Sequence, residues 1–310
     1  MRRSFKRMVA TALASMVVIG SFGMLSVSSS TTTESRTYIK RSYIKNGATT
    51  SIKQEEYTLT QSLLDGIAST RTVAPDDRKP DAQTSVVEFT TRDNRYGQPS
   101  YSGGTGFIIG DNMIVTAAHC LRTHDNLDYS SQITIKLKDP KTGITHNVYP
   151  IEVHIPKAYV QKKSHDNDYA LLVVDKDLSA YGSFSLGVLT DNATSADEIP
   201  LFATGYPSFV NNQPGNHIQY TGTGYLHSVS ERILTMNNYV SHGNSGGPVY
   251  VKTNYRFGSN TEWTTSTTVV GICVGDNGVE DFAKPGAFTE ACRITPALLQ
   301  FYYNNPNIDS

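Results

Sequence analysis

The chain has 310 residues and a formal net charge of −1 that is unevenly divided. Residues 1–71 hold 10 Lys and Arg against 4 Asp and Glu, while residues 72–310 hold 17 against 24. The longer part is mildly acidic and carries no basic stripe, which excludes a nucleic-acid-binding face, and it is large enough to bury a sizeable core as one domain or two small ones.

Arg2, Arg3, Lys6 and Arg7 precede an uncharged run from Met8 to Leu25, and small residues follow at Ser26-Val27-Ser28. This is the charged, apolar and small-residue order of a secretory signal peptide. The run reaches only the lower limit for a membrane span, and Gly20, Ser21 and Gly23 weaken it as a permanent anchor, so cleavage near Ser28 is expected. Residues 29–71 are rich in Ser, Thr and charge, with a short possible helix around Tyr57–Ile67. Their apolar content is too low for a core, which fits a processed prosegment or a disordered arm. The texture changes at Thr72-Val73-Ala74-Pro75-Asp76-Asp77-Arg78, and maturation is expected near Arg71–Val73.

Short runs of β-branched and aromatic residues then follow one another. The expected strands are Ser85–Phe89, Gly106–Ile109, Met113–Ala118, Gln132–Lys138, Val148–Ile155 and Tyr169–Val174. After a joint near Ser183–Ala196 come Leu201–Thr204, His217–Thr223, Ile233–Met236, Pro248–Val251, Thr267–Cys273 and Gly286–Ala291. Turn signals such as Gly110-Asp111-Asn112 separate them. Pro296–Tyr302 reads as a closing helix with Thr295 as its N-cap. The fold class is all-β, and two groups of six strands suggest two antiparallel barrels, about 72–185 and 186–310.

Three stretches carry chemistry. Ile114-Val115-Thr116-Ala117-Ala118-His119-Cys120 is an apolar strand ending on a histidine. Asn167-Asp168-Tyr169-Ala170-Leu171-Leu172 puts an aspartate at the mouth of a buried strand. Gly243-Asn244-Ser245-Gly246-Gly247-Pro248-Val249 surrounds a serine with small residues, which lets the backbone turn tightly and bring the N–H groups of Gly243 and Ser245 toward a substrate carbonyl. Asp166 is the rival to Asp168, but it lies two residues farther from the apolar strand. His165-Asp166 and His124-Asp125 lack the spacing of metal ligands, and no metal or other cofactor is expected.

The order His119, Asp168, Ser245 resembles the chymotrypsin-like serine endopeptidases. The resemblance implies that the three residues form a triad straddling a cleft between two barrels, with His119 and Asp168 from the first and Ser245 from the second. It also implies acyl transfer, in which His119 takes the proton of Ser245 and Asp168 fixes the imidazole. Within the family, Thr204-Gly205-Tyr206-Pro207, Asp77-Arg78 and Arg293-Ile294-Thr295 resemble the bacterial secreted branch that contains the glutamyl endopeptidases. Glutamyl specificity is one alternative that follows, and two departures speak against it. Cys273 stands where that branch places a histidine, and Val240 where it often has threonine. Tyr239 stands where a trypsin-like enzyme has its aspartate, so a preference for Arg or Lys lacks its counter-charge. Ser241 and His242 complete the candidate substrate-binding residues.

The family often bridges the cysteine after the triad histidine to one near the preceding hairpin, and here Gly104 stands at that spacing. Cys273 and Cys292, in two strand-like segments, are then the expected disulfide, and Cys120 a buried free thiol. A freed N-terminus ordering the specificity pocket is the activation route the resemblance implies. Peptide or protein substrates, an extracellular location, no lasting membrane association and a monomeric state are expected. The competing class is a catalytically silent binding module on the same fold. An α/β-hydrolase is a poorer fit, because its serine comes first in the chain and precedes a helix.

Overall fold

The computed structural model describes residues 16–18, 40–45, 48–54, 57–58, 78–93, 100–121, 133–189, 193, 199–210, 213–255, 264–276 and 288–303. The first sheet is built from β1 (Val86–Asp93), β2 (Ser100–Gly110), β3 (Met113–Thr116), β4 (Ile133–Lys138), β5 (Thr145–Val148), β6 (Pro150–His154) and β7 (Ala170–Val174). Two short helices interrupt it, α1 (Ala118–Leu121) after β3 and α2 (Lys157–Lys162) after β6. Its strand order is β5-β4-β1-β2-β3-β7-β6. The stretch expected as one strand over Val148–Ile155 breaks at Tyr149. β5 therefore lies on one edge of the sheet and β6 on the other, yet Val148 and Pro150 are only two residues apart. Two residues span about 7 Å at most, so the edges must be close and the sheet must curl almost to closure.

The second sheet contains β8 (Ser185–Val188), β9 (Pro200–Gly205), β10 (Tyr220–Val229), β11 (Ile233–Met236), β12 (Pro248–Tyr255), β13 (Thr264–Asp276) and β14 (Thr289–Arg293). The order β13-β14-β11-β10-β9-β12 returns to β13, which closes a six-stranded barrel. β8 pairs parallel to β13 outside that ring. The fold is thus the expected all-β pair, with one closed barrel and one curled, seven-stranded sheet. The helix α3 (Pro296–Tyr303) ends the described chain, and Thr295 caps it by accepting from the Leu298 N–H at 3.2 Å. A cap of this kind contributes about 1 kcal/mol.

Upstream, Met16–Val18 runs parallel to β8, Lys40–Lys45 pairs with it and with Ala48–Gln54, and Tyr57–Thr58 pairs with the end of β12. The expected helix around Tyr57–Ile67 therefore begins as a strand, and 59–67 lie outside the described residues. So do the rest of the expected signal peptide, the start at Thr72 and the pair His124-Asp125. Among the described residues no helix is long and apolar enough to cross a membrane.

The two sheets share one apolar core. Alternation along β13 shows how. Val270 and Cys273 face into the closed barrel, while Val269, Ile272 and Val274 face the first sheet together with Tyr250 and Phe202. A bulge at Val270 shifts the pleat, so that Val269 and Ile272 both reach the inter-sheet core.

This register overturns the expected disulfide. Ile272 pairs with Cys292, and Cys273 pairs with Ala291. Side chains alternate along a strand, so Cys273 enters the barrel core and Cys292 the core between the sheets. A bridge needs Cβ atoms about 4 Å apart on the same side. All three cysteines are free and buried. Mass spectrometry after alkylation of unreduced, denatured protein should therefore find three modified thiols. An intact Cys273–Cys292 bridge would refute this register.

Candidate active site

Strand register brings His119 and Asp168 together. Ala170 at the start of β7 pairs with Thr116 at the end of β3 in an antiparallel ladder. The residues just before β7 therefore lie across from those just after β3. The His119 Nδ1–H donates to Asp168 Oδ2 at 2.6 Å, and the His119 backbone N–H donates to Oδ1 at 2.8 Å. Asp168 is 1% exposed. A carboxylate buried so deeply needs such partners, and the pair fixes the tautomer that leaves Nε2 as the acceptor. Asp166, the rival, is exposed, and its carbonyl accepts from the Cys292 thiol. The turn between them is pinned by Arg232, which donates to Asn167 Oδ1 at 2.8 Å.

Cys120 follows His119 in α1, and its S–H reaches Nε2 of that same imidazole at 3.5 Å. Burial works against a charge on His119. A Cys120 thiolate, together with the hydrogen bond and charge of Asp168, outweighs burial and holds the imidazole above the ordinary histidine value, whereas a neutral Cys120 S–H donating to Nε2 favours the uncharged ring. The Gly104 site confirms why no bridge forms from Cys120. A Cβ there would lie 3.1 Å from the Cys120 sulfur but only 2.7 Å from the buried Phe89 ring, so both the glycine and the packing of Phe89 stand against a bridge.

Ser245 arrives from the other sheet on the loop before β12. Thr105 of β2 clamps that loop. Its N–H donates to the Ser245 carbonyl at 2.9 Å and its hydroxyl to the Gly243 carbonyl at 2.6 Å. The same hydroxyl accepts from the Tyr206 N–H at 3.0 Å. Gly243 has φ +92°, and a Cβ there would lie 2.3 Å from the Tyr206 carbonyl oxygen, so only glycine fits. With their carbonyls engaged, Gly243 and Ser245 have N–H groups that find no acceptor among the described residues. Two unengaged donors therefore stand beside the serine, available to an acceptor. A pocket of about 380 Å³ opens beside Gly243, between Gly103, Gly104, Tyr206 and Ser208, with Glu88 in its lining.

The expected substrate-binding residues divide into two groups. The Val240 and Cys273 side chains are buried in the closed-barrel core, where burial pushes the Cys273 thiol up to about 12. The main chain of Cys273 holds the Ser245 loop, accepting from the Gly246 N–H at 2.7 Å and donating to the Gly247 carbonyl at 2.9 Å. Tyr239 is half-buried beneath the Arg78 guanidinium. Ser241 is half-buried, and its hydroxyl donates to the Phe209 carbonyl at 3.0 Å. His242 alone is fully exposed. Among the described residues no three His, Cys, Asp or Glu side chains cluster as metal ligands do.

Two residues of this site were not expected from the sequence. Thr105 carried one signal, a β-branched residue between Gly104 and Gly106. Arg78 was read as part of the chain's change of texture and of an Asp-Arg pair resembling the glutamyl endopeptidase branch, with no role in the site, yet it is 5% exposed and donates to Asn244 and Ser241.

Residues 104–257 match the trypsin-like peptidase domain family. The chain is 24% identical over 218 residues to serine protease 23 of Bos taurus, covering 63% of this chain and 55% of that protein. It thus spans about half the length of that relative. A solved structure of a Glu endopeptidase in complex with MPD superposes with a TM-score of 0.54 at 18% identity, over 75% of this chain and 97% of the other. That likeness bears on the fold, which is the chymotrypsin-like pairing of two β-units.

If Cys120 contributes to the raised basicity of His119, its removal should show in the imidazole titration. NMR titration of the His119 ring should give a midpoint above ordinary histidine, falling in Cys120→Ala. An unchanged midpoint would leave Asp168 as the only cause.

Proposed function

We propose, from a chain that carries a trypsin-like peptidase domain in a chymotrypsin-like fold, that the protein is a secreted serine endopeptidase with His119, Asp168 and Ser245 as its triad. The observation that carries this is the doubly hydrogen-bonded His119–Asp168 pair, set across the sheet boundary from a serine loop with two unengaged N–H donors.

In this reading Nε2 of His119 takes the proton of Ser245 as Oγ attacks the peptide carbonyl, and later returns it to the leaving amine. Asp168 holds the imidazole and stabilises its charged form. The N–H groups of Gly243 and Ser245 receive the oxyanion, and loss of one such donor costs about a hundredfold or more in rate. Cys120 must release Nε2 for the first step. Its thiol therefore competes with Ser245 and does not replace it. The candidates Tyr239, Ser241 and His242 include no carboxylate, so a basic residue before the scissile bond lacks a counter-charge there. The signal-peptide pattern and the cationic segment 29–71 support export and maturation near Arg71–Val73, with residues 72–310 as the peptidase unit.

Ser245→Ala should abolish casein hydrolysis with the fold unchanged by circular dichroism, while Cys120→Ala retains it. Activity that survives the first and is lost in the second would make the protein a thiol enzyme. Wild-type protein that never hydrolyses casein or peptide libraries would favour the silent binding module.

Asp168→Asn should lower kcat by about four orders of magnitude, because the amide favours the wrong tautomer. Asp166→Asn should have little effect, since Asp166 is exposed. If Asp166→Asn proves the more damaging change, the acid has been misassigned.

A further inference from the structure

Arg78 is the one cation buried against the nucleophile loop among the described residues that donate to it. Its Nη1 donates to Asn244 Oδ1 at 3.0 Å and to the Ser241 hydroxyl at 3.0 Å. Its Nη2 donates to the Phe209 carbonyl. Its guanidinium carbon stands 4.8 Å from the centre of the Tyr239 ring. The stem reaches this place past Gly222 of β10, where a Cβ would come within 3.1 Å of Arg78 Cγ. Asn244 is itself buried, and its Oδ1 also accepts from the Ser241 N–H at 3.2 Å. Arg78 and Asn244 together thus tie down residues 239, 241 and 244, which bracket Gly243 and adjoin Ser245.

We propose that Arg78 is the positioning residue of the oxyanion loop, acting through Asn244 and Ser241 to hold the Gly243 and Ser245 N–H groups in place. The inference rests on Ser245 being the nucleophile of the reading above. Oxyanion donors work only if they are set before charge develops, and a loop containing a glycine at positive φ has many other conformations open to it. A planar guanidinium with several fixed donors can satisfy an amide oxygen, a hydroxyl and a carbonyl at once, which a lysine ammonium at this depth does with poorer geometry. Arg78 is an internal side chain. The order of the loop therefore does not wait on a freed chain terminus, in contrast to the route the sequence resemblance implies.

The test uses variants in the full chain, read three ways: labelling of Ser245 by a phosphonofluoridate, kcat and KM on a peptide substrate, and amide hydrogen exchange over 241–246. Arg78→Gln and Arg78→Lys should slow labelling and lower kcat about a hundredfold, with a much smaller change in KM. Asn244→Ala leaves Arg78 in place but removes its acceptor on the residue before Ser245, and should do the same. The double variant Arg78→Gln/Asn244→Ala should be no worse than either alone, because both remove one linkage. Guanidinium ion should restore part of the labelling rate to Arg78→Gly. Hydrogen exchange at Gly243 and Ser245 should quicken in Arg78→Gln at an unchanged melting temperature. Folded Arg78→Gln and Asn244→Ala that label, turn over and exchange like wild type would overturn the proposal. So would losses that multiply in the double variant. A wild type that neither labels nor cleaves would defeat the endopeptidase reading alone, and the exchange measurement would still decide whether Arg78 orders the loop.

Discussion

The site depends on one close contact between the two sheets, where the Ser245 loop crosses β2 and the end of β3. Gly246 has φ +82°, and a Cβ on it would lie 2.1 Å from the Thr116 hydroxyl and 2.2 Å from the Thr105 carbonyl oxygen. The Thr116 hydroxyl donates to that same carbonyl at 2.8 Å, and the Thr105 N–H takes the Ser245 carbonyl. The loop can approach the histidine strand this closely only because residue 246 has no side chain. Once it does, the position of Ser245 relative to His119 is set by main-chain hydrogen bonds between rigid strands. Loops alone fix atoms less well than strands do, and reacting groups misplaced by an ångström lose orders of magnitude in rate.

Much of this could be read from the chain, and the reason is local. His119 and Asp168 each stand at the end of an apolar run, and the pairing of β3 with β7 turns those two sequence positions into one spatial position. Ile233–Met236 and the Thr295 cap were legible because a short alternating run and a capping residue declare themselves within a few residues. The strand Ser185–Val188, inside the stretch read as a joint, was not. Its four residues offer too little periodicity, and its parallel pairing to β13 is a tertiary fact. Likewise the break at Tyr149 divides a continuous apolar-looking run, and only the curl of the first sheet explains why the chain leaves one edge for the other.

The expected disulfide failed for a related reason. Residues 273 and 292 were placed in two strand-like segments, which prove to be neighbours in the sheet, but adjacency does not determine face. A one-residue offset reverses the side on which a side chain emerges. With Cys292 opposite Ile272 and not Cys273, the two thiols belong to different cores, and burial raises the pKa of each. Thiols held that way are poor nucleophiles. Cys120 differs, since it touches the imidazole. Its neighbour Gly104 lies within reach of the sulfur, but a side chain there would first have to displace the buried Phe89 ring.

Arg78 was beyond sequence reasoning altogether, since its partners Ser241 and Asn244 stand 163 and 166 positions away. Its energetics explain why the contact set is so complete. Moving a guanidinium out of water costs several kcal/mol unless its donors are engaged. Asn244 takes up part of that donor capacity. The hydroxyl of Ser241, the carbonyl of Phe209 and the face of Tyr239 take up more, and each belongs to a segment close to Ser245 or packed against its loop. Burying this arginine against the loop thus couples its own desolvation to the geometry of the loop. Any displacement of residues 239–244 strips hydrogen bonds from a buried cation. That penalty is steeper than the loop's own backbone hydrogen bonds would impose, and it makes the rigid arrangement around Ser245 the low-energy one.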